Sequence, residues 1–217
     1  MLKGLQFDNP LMNTFSWIGD MIVLNLLFLL TSLPIITMGA AMAAAYDTIH
    51  RLRKDEGESV PKLFWRGLRS NFRQSTWIWL IYLAIGALLA VDVLFLLDGT
   101  AQVSLLWYVL PVIGAIVYLF SLSFVFPLTA LFENTVFKTI KNALQLAFLH
   151  PLTSLAMGVL LCLPLILFLC GPIVFIGASI IWLSLGFAVT FWVIDSLAEK
   201  CIVRYAPEIM EKTENID

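Results

Sequence analysis

Five long apolar stretches divide this chain, and its basic residues gather in alternate gaps between them. The stretches cover residues 17–45, 76–97, 105–132, 152–169 and 172–195. A helix needs about 20 mostly apolar residues to cross the hydrocarbon core of a bilayer. Backbone N–H and C=O groups find no water there, so each stretch is expected to be helical. None shows the strict alternation that marks a membrane β-barrel. Composition agrees. Hydrophobic residues make up 60% of the 217 positions and charged residues 13%, where a soluble domain carries about 25% charged residues. A chain this short has too little interior to hide so much apolar surface from water. The expected fold class is an all-α integral membrane protein, a single transmembrane domain built as a bundle of about five helices.

The charges orient that bundle. Residues 46–75 hold Arg51, Arg53, Lys54, Lys62, Arg66, Arg69 and Arg73; residues 133–151 hold Lys138 and Lys141; the C-terminal tail holds Lys200, Arg204 and Lys212. Lys3 stands alone before the first stretch, and the gaps at 98–104 and 170–171 have no basic residue. Cytoplasmic loops carry the excess of Lys and Arg. The expectation is therefore a multi-pass protein of a bacterial plasma membrane, N-terminus outside and C-terminus cytoplasmic. Trp17 and Trp107-Tyr108 then fall at outer ends, and Tyr46, Trp77, Trp79 and Trp192 near inner ends, where amphipathic rings prefer the headgroup level. The small-residue run at 39–45 lies too deep for a cleavage site and precedes a basic gap, so the first stretch is expected to stay. That stretch has Pro34 in its middle. It reads as one tilted, kinked helix, with a shorter helix plus a re-entrant piece as the alternative.

Both inner gaps are amphipathic. Over 61–73, Phe64, Leu68 and Phe72 share one face while Lys62, Arg66, Arg69 and Arg73 cluster opposite. Over 133–149, Val136, Phe137, Ile140, Leu144, Ala147 and Phe148 share a face, with Lys138 and Lys141 turned away. Two helices lying at the cytoplasmic membrane surface are expected, and the basic face of the first is a candidate docking or lipid-facing surface. The order span, amphipathic helix, span then occurs twice with parallel topology.

Ionisable groups inside a bilayer are functional suspects. Asp20, Asn25 and Asp92 are the candidates. Both carboxylates are expected near the outer end, and Asn25 is expected to hydrogen-bond a neighbouring helix. Gly39, Ala40, Ala43 and Ala44 offer small residues at a spacing of four, a seam for an internal helix or for another subunit. The sequence has no nucleophile elbow, zinc-protease or Walker motif. His50, His150, Cys162, Cys170 and Cys201 lack metal-ligand spacing. No catalytic, cofactor or metal residue is therefore assigned. A net charge of -2 gives no reason to expect nucleic acid as a partner.

Residues 25–76 resemble the YesL-like family of small bacterial membrane proteins. The likeness rests on Asn25, on Leu33-Pro34-Ile35-Ile36-Thr37-Met38-Gly39-Ala40, on Ala44-Ala45-Tyr46, and on Phe64-Trp65-Arg66-Gly67-Leu68-Arg69-Ser70-Asn71-Phe72-Arg73-Gln74-Ser75-Thr76. It implies a plasma-membrane protein whose genes neighbour carbohydrate ABC importers and glycoside hydrolases. It implies no catalytic residues. The functional expectation is a non-enzymatic accessory subunit that packs beside carbohydrate importer permeases in the lipid bilayer. The alternative is a stand-alone small-solute transporter or channel with a polar path through Asp20, Asn25 and Asp92.

Overall fold

The computed structural model describes residues 10–54, 57–97 and 105–214. Five helices are long and apolar enough to cross a membrane: Thr14–Ser32, Val60–Leu96, Trp107–Leu131, Pro151–Leu169 and Pro172–Arg204. The protein is an all-helical, multi-pass membrane protein, and the number of apolar helices matches the sequence.

The first stretch is not one helix. Helix α1 (Pro10–Ser32) stops before Leu33-Pro34, a short 3₁₀ turn follows at Ile35–Thr37, and α2 (Met38–Arg53) starts anew. Proline has no N–H to donate and crowds the residue before it out of the helical region, so the helix ends there. The carbonyls freed by the break are satisfied locally. Thr37 Oγ1 donates to Thr31 O at 2.6 Å and lies 2.9 Å from Pro34 O. Trp79 Nε1 donates to Ile35 O at 2.6 Å.

Helix α2 then runs back. It packs against α3 (Val60–Leu97) in the opposite direction, with Gly39 beside Ser75 and Trp79 and Asp47 over Gly67. Its far end, Arg51 and Leu52, lines a cleft with Ser16, Trp17 and Asp20 of α1. Helices α1 and α2 therefore form an antiparallel hairpin whose tip lies beside Trp79. Hydropathy does not pick out α2 as a span of its own, because it is only 16 residues long and carries Asp47, His50, Arg51 and Arg53. Residues Gly39 through Ala41 and Ala43 through Ile49 are buried by neighbouring helices.

Helix α3 is continuous for 38 residues, about 57 Å at 1.5 Å per residue. Residues 61–73 are its first part and not a separate helix, since no proline interrupts the chain between Pro61 and Leu97. Pro61 sits in the first turn, where its missing N–H is harmless, and Lys62 and Leu63 donate their N–H groups to Ser59 O at 3.0 and 3.1 Å. Helix α4 (Leu105–Leu131) returns alongside α3: Trp79 meets Phe126, Tyr82 meets Tyr118 and Ser121, and Gly86 meets the Tyr118 hydroxyl. Helix α5 (Val136–Leu149) is a separate short helix, tied to α3 by Gln74 Nε2 donating to Thr139 Oγ1 at 3.1 Å.

Helix α6 (Pro151–Leu169) leads to a turn at Gly171, whose φ of 114° suits only glycine, and into α7 (Pro172–Ile181). A π turn, Trp182–Gly186, joins α7 to α8 (Phe187–Glu214). Phe28 of α1 packs on Phe187 and Phe191, and Trp17 on Trp192, so α1 and α8 are antiparallel. The start of α1, the end of α2, the start of α3 and the later part of α8 thus share one end of the bundle.

Two expectations change as a result. Trp17 and Trp192 were placed at opposite ends and are in contact. Asp20 and Asp92 were placed together near the outer end, yet Asp20 shares the cleft with Leu63 at the start of α3 while Asp92 lies near the end of α3. The cause is the same in both cases: α2 adds a leg that hydropathy does not count. The parallel repeat fails as well, because α1 runs parallel to α3 whereas α4, its supposed equivalent, runs against it.

Candidate functional site

The polar groups of the hairpin end are organised around Arg53, near the last turn of α2. Its Nη1 lies 2.8 Å from Glu199 Oε2 and 3.2 Å from Asp195 Oδ2, and its Nη2 donates to Trp192 O at 2.9 Å and to Ser196 Oγ. Its guanidinium also lies over the Trp192 ring, 4.6 Å from the centroid. One arginine therefore clamps one face of α8, and the side chain of Asp195 is 2% exposed. A planar, five-donor fork suits this multiple contact better than an ammonium would. A second ion pair lies along α2: Arg51 Nε is 3.0 Å from both oxygens of Asp47. Asp47 in turn lies over Gly67, where a Cβ would come within 2.6 Å of Oδ2. Gly67 lets a buried carboxylate fit between two helices.

Asn25 is fully buried and spans the π turn. Nδ2 donates to Leu183 O at 2.8 Å and to Trp182 O at 3.3 Å, and Oδ1 accepts from the Ala188 N–H at 3.1 Å. A π turn leaves backbone groups out of the helical ladder, and a membrane interior offers them no water. One amide side chain answers three of them.

The seam residues Gly39, Ala40, Ala43 and Ala44 are buried inside the chain. At Gly39 an added Cβ would lie 2.8 Å from Ser75 O, so the small residues serve the close α2–α3 approach. Lys62, Arg66, Arg69 and Arg73 are exposed on α3. Glu58 holds two of them, Lys62 at 3.2 Å and Arg66 at 3.1 Å. Asp92 is exposed. The structure does not bring Asp20, Asn25 and Asp92 together.

Asp20 is half-buried in a cleft of about 440 Å³ between α1, α2 and α8. Among the described residues no group of three or more His, Cys, Asp or Glu could hold a metal ion. Sequence reasoning missed the Arg53 clamp. A carboxylate late in the last span, Asp195, was the available signal, but seven basic residues in one gap left its partner undetermined.

Residues 21–93 match the model of a family described as "Protein of unknown function, DUF624". The matched segment takes in the second half of α1, the proline break, α2 and most of α3, and so contains both Asn25 and the glycines at 39 and 67. No curated protein matches the chain, and no solved structure matches it.

Proposed function

We propose that this chain is a non-enzymatic accessory subunit of the bacterial plasma membrane that works by packing against transporter permeases. The YesL-like resemblance makes carbohydrate importers the permeases of choice. The observation that carries the proposal is the fate of the polar groups. Asn25, Thr31 and Thr37 are hydrogen-bonded to backbone carbonyls and Tyr82 to Ser121, and Asp47 and Asp195 are ion-paired with arginines. Their partners lie within the fold, which supports a structural role for them. A stand-alone transporter would need Asp20, Asn25 and Asp92 in line, and they are apart.

Apolar surface for such packing is present at the other end of the molecule. Leu88, Val91 and Leu94 on α3 and Ile173, Ile176 and Ile180 on α7 are all more than 60% exposed. Helix association in lipid rests on close packing and not on hydrophobic burial, so these faces suit partner helices as well as lipid. The proposed orientation puts the end with the basic residues in the cytoplasm. With α2 as a return leg, the start of α1 and the end of α8 then lie on the same, cytoplasmic side, in place of the N-terminus outside expected from the charge pattern. Purification of the tagged protein in mild detergent tests the reading: a permease is expected at stoichiometric level, and its absence from gentle preparations overturns it.

A further inference from the structure

The cleft at the hairpin end has a charge imbalance and an aromatic wall. Three charged side chains line it: Asp20, Arg51 and Glu58. Arg51 is matched by Asp47, and Glu58 by Lys62 and Arg66. Asp20 has no ion-pair or hydrogen-bond partner among the described residues. A half-buried carboxylate at the start of a membrane helix is costly without a cation. Next to it stand the Trp17 and Trp192 indoles, edge to face with centroids 5.7 Å apart. Met21, Leu52 and Leu63 supply apolar floor. A volume of about 440 Å³ lies within the range of small-ligand sites, about 300–1,000 Å³.

We propose that this cleft binds the ammonium group of an alkylamine, with Asp20 as counter-ion and the two indoles as the aromatic wall. One face of Trp192 is taken by Arg53, so the Trp17 face is the one offered to the cation, which the ring quadrupole attracts, while the apolar floor takes the methylene groups beside the ammonium. The cleft opens at the end of the bundle that carries Arg51, Lys54 and Lys62, where a membrane helix meets headgroups. The ammonium can therefore come from an aminophospholipid headgroup or from a free amine.

The test uses the purified full-length protein. In one arm, nanodiscs of phosphatidylglycerol are compared with nanodiscs that also contain phosphatidylethanolamine. In the other, free ethanolamine is titrated in detergent. Tryptophan fluorescence and the thermal midpoint are read in both. Saturable change with the lipid alone assigns the headgroup; saturable change with ethanolamine assigns a soluble amine. Asp20→Asn is expected to weaken the response by about tenfold or more, Trp17→Leu to weaken it as well, and Asp92→Asn to leave it unchanged. No saturable change in either arm overturns the proposal. So does an Asp20→Asn protein that is folded and responds like the parent; should that variant fail to fold, an unchanged response in Trp17→Leu does the same.

Discussion

Trp17 and Trp192 meet edge to face, ring centroids 5.7 Å apart, although 175 positions separate them in the chain. That contact fixes the direction of α1 against α8 and puts the start of the first helix beside the later part of the last.

The first prediction is topological. In a protein with Cys162 and Cys201 replaced by alanine, the remaining Cys170 sits at the far turn and is exposed. An impermeant maleimide is expected to label it on intact cells. A cysteine introduced as Ser16→Cys, with Cys170 also replaced, is expected to react only after permeabilisation. Labelling of both position 16 and Cys170 from outside would put the two ends of the bundle on one side and refute the hairpin.

The α2–α3 contact depends on the absence of a side chain at position 39. Gly39→Ala places its Cβ 2.8 Å from Ser75 O and also against Trp79, and overpacking of this kind costs about 1–3 kcal/mol. Gly19→Ala meets nothing within 4 Å and is expected to be neutral or slightly stabilising. Thermal unfolding in detergent distinguishes the two. Equal midpoints would mean that α2 does not pack as described.

Asn25→Leu removes three hydrogen bonds at the π turn. At about 0.6 kcal/mol per bond in membranes, a loss of about 2 kcal/mol is expected. The loss is local, so hydrogen exchange of backbone amides at 182–188 is expected to rise more than in α4. Unchanged protection at Ala188 would contradict the bridge.

Arg53→Met leaves Asp195 and Glu199 without their cation. Removing one partner of a buried pair costs about 3 kcal/mol or more. Adding Asp195→Asn to Arg53→Met is expected to recover most of that, since the buried charge is gone too. A double variant no better than the single one would deny the coupling between α2 and α8.

The hairpin end also carries a pH dependence. Burial lowers His50 below its ordinary value of 6.5, with Lys54 and Arg53 adding to the effect and Glu199 and Asp47 opposing it. Above that value His50 is neutral in both the folded and the unfolded chain, and it adds no slope. Below it the unfolded chain takes up the proton first, so stability falls as pH falls through 6.5. The drop in thermal midpoint between about pH 7.5 and about pH 5.5 is expected to shrink in His50→Gln. An identical drop would remove His50 from the account.

Much of the molecule was legible without coordinates. Apolar runs long enough to span a bilayer gave the number of membrane-length helices, although the first run also took in half of α2 and the second began 16 residues after the start of its helix. The small residues at 39–45 announced a close helix contact. The hydrogen-bonding role of Asn25 was legible too, but not its address: the π turn it serves lies 157 positions away. The Arg53 clamp was hidden among seven basic residues with equal claims.

What the residue order determined by itself is the solvent: lipid-length apolar segments must be helical, because no other backbone arrangement satisfies its own hydrogen bonds there. Only the tertiary structure decided that Pro34 reverses the chain and does not merely bend it. Hydropathy weighs a segment against lipid, and α2, with four polar ionisable side chains, weighs badly. It is sheltered by α1, α3 and α8 instead, with room for Asp47 over Gly67 and its charges answered by its own ion pair and by the carboxylates of α8. A helix solvated by other helices does not stand out as a separate span on a scale calibrated for lipid, and half of α2 was merged with α1.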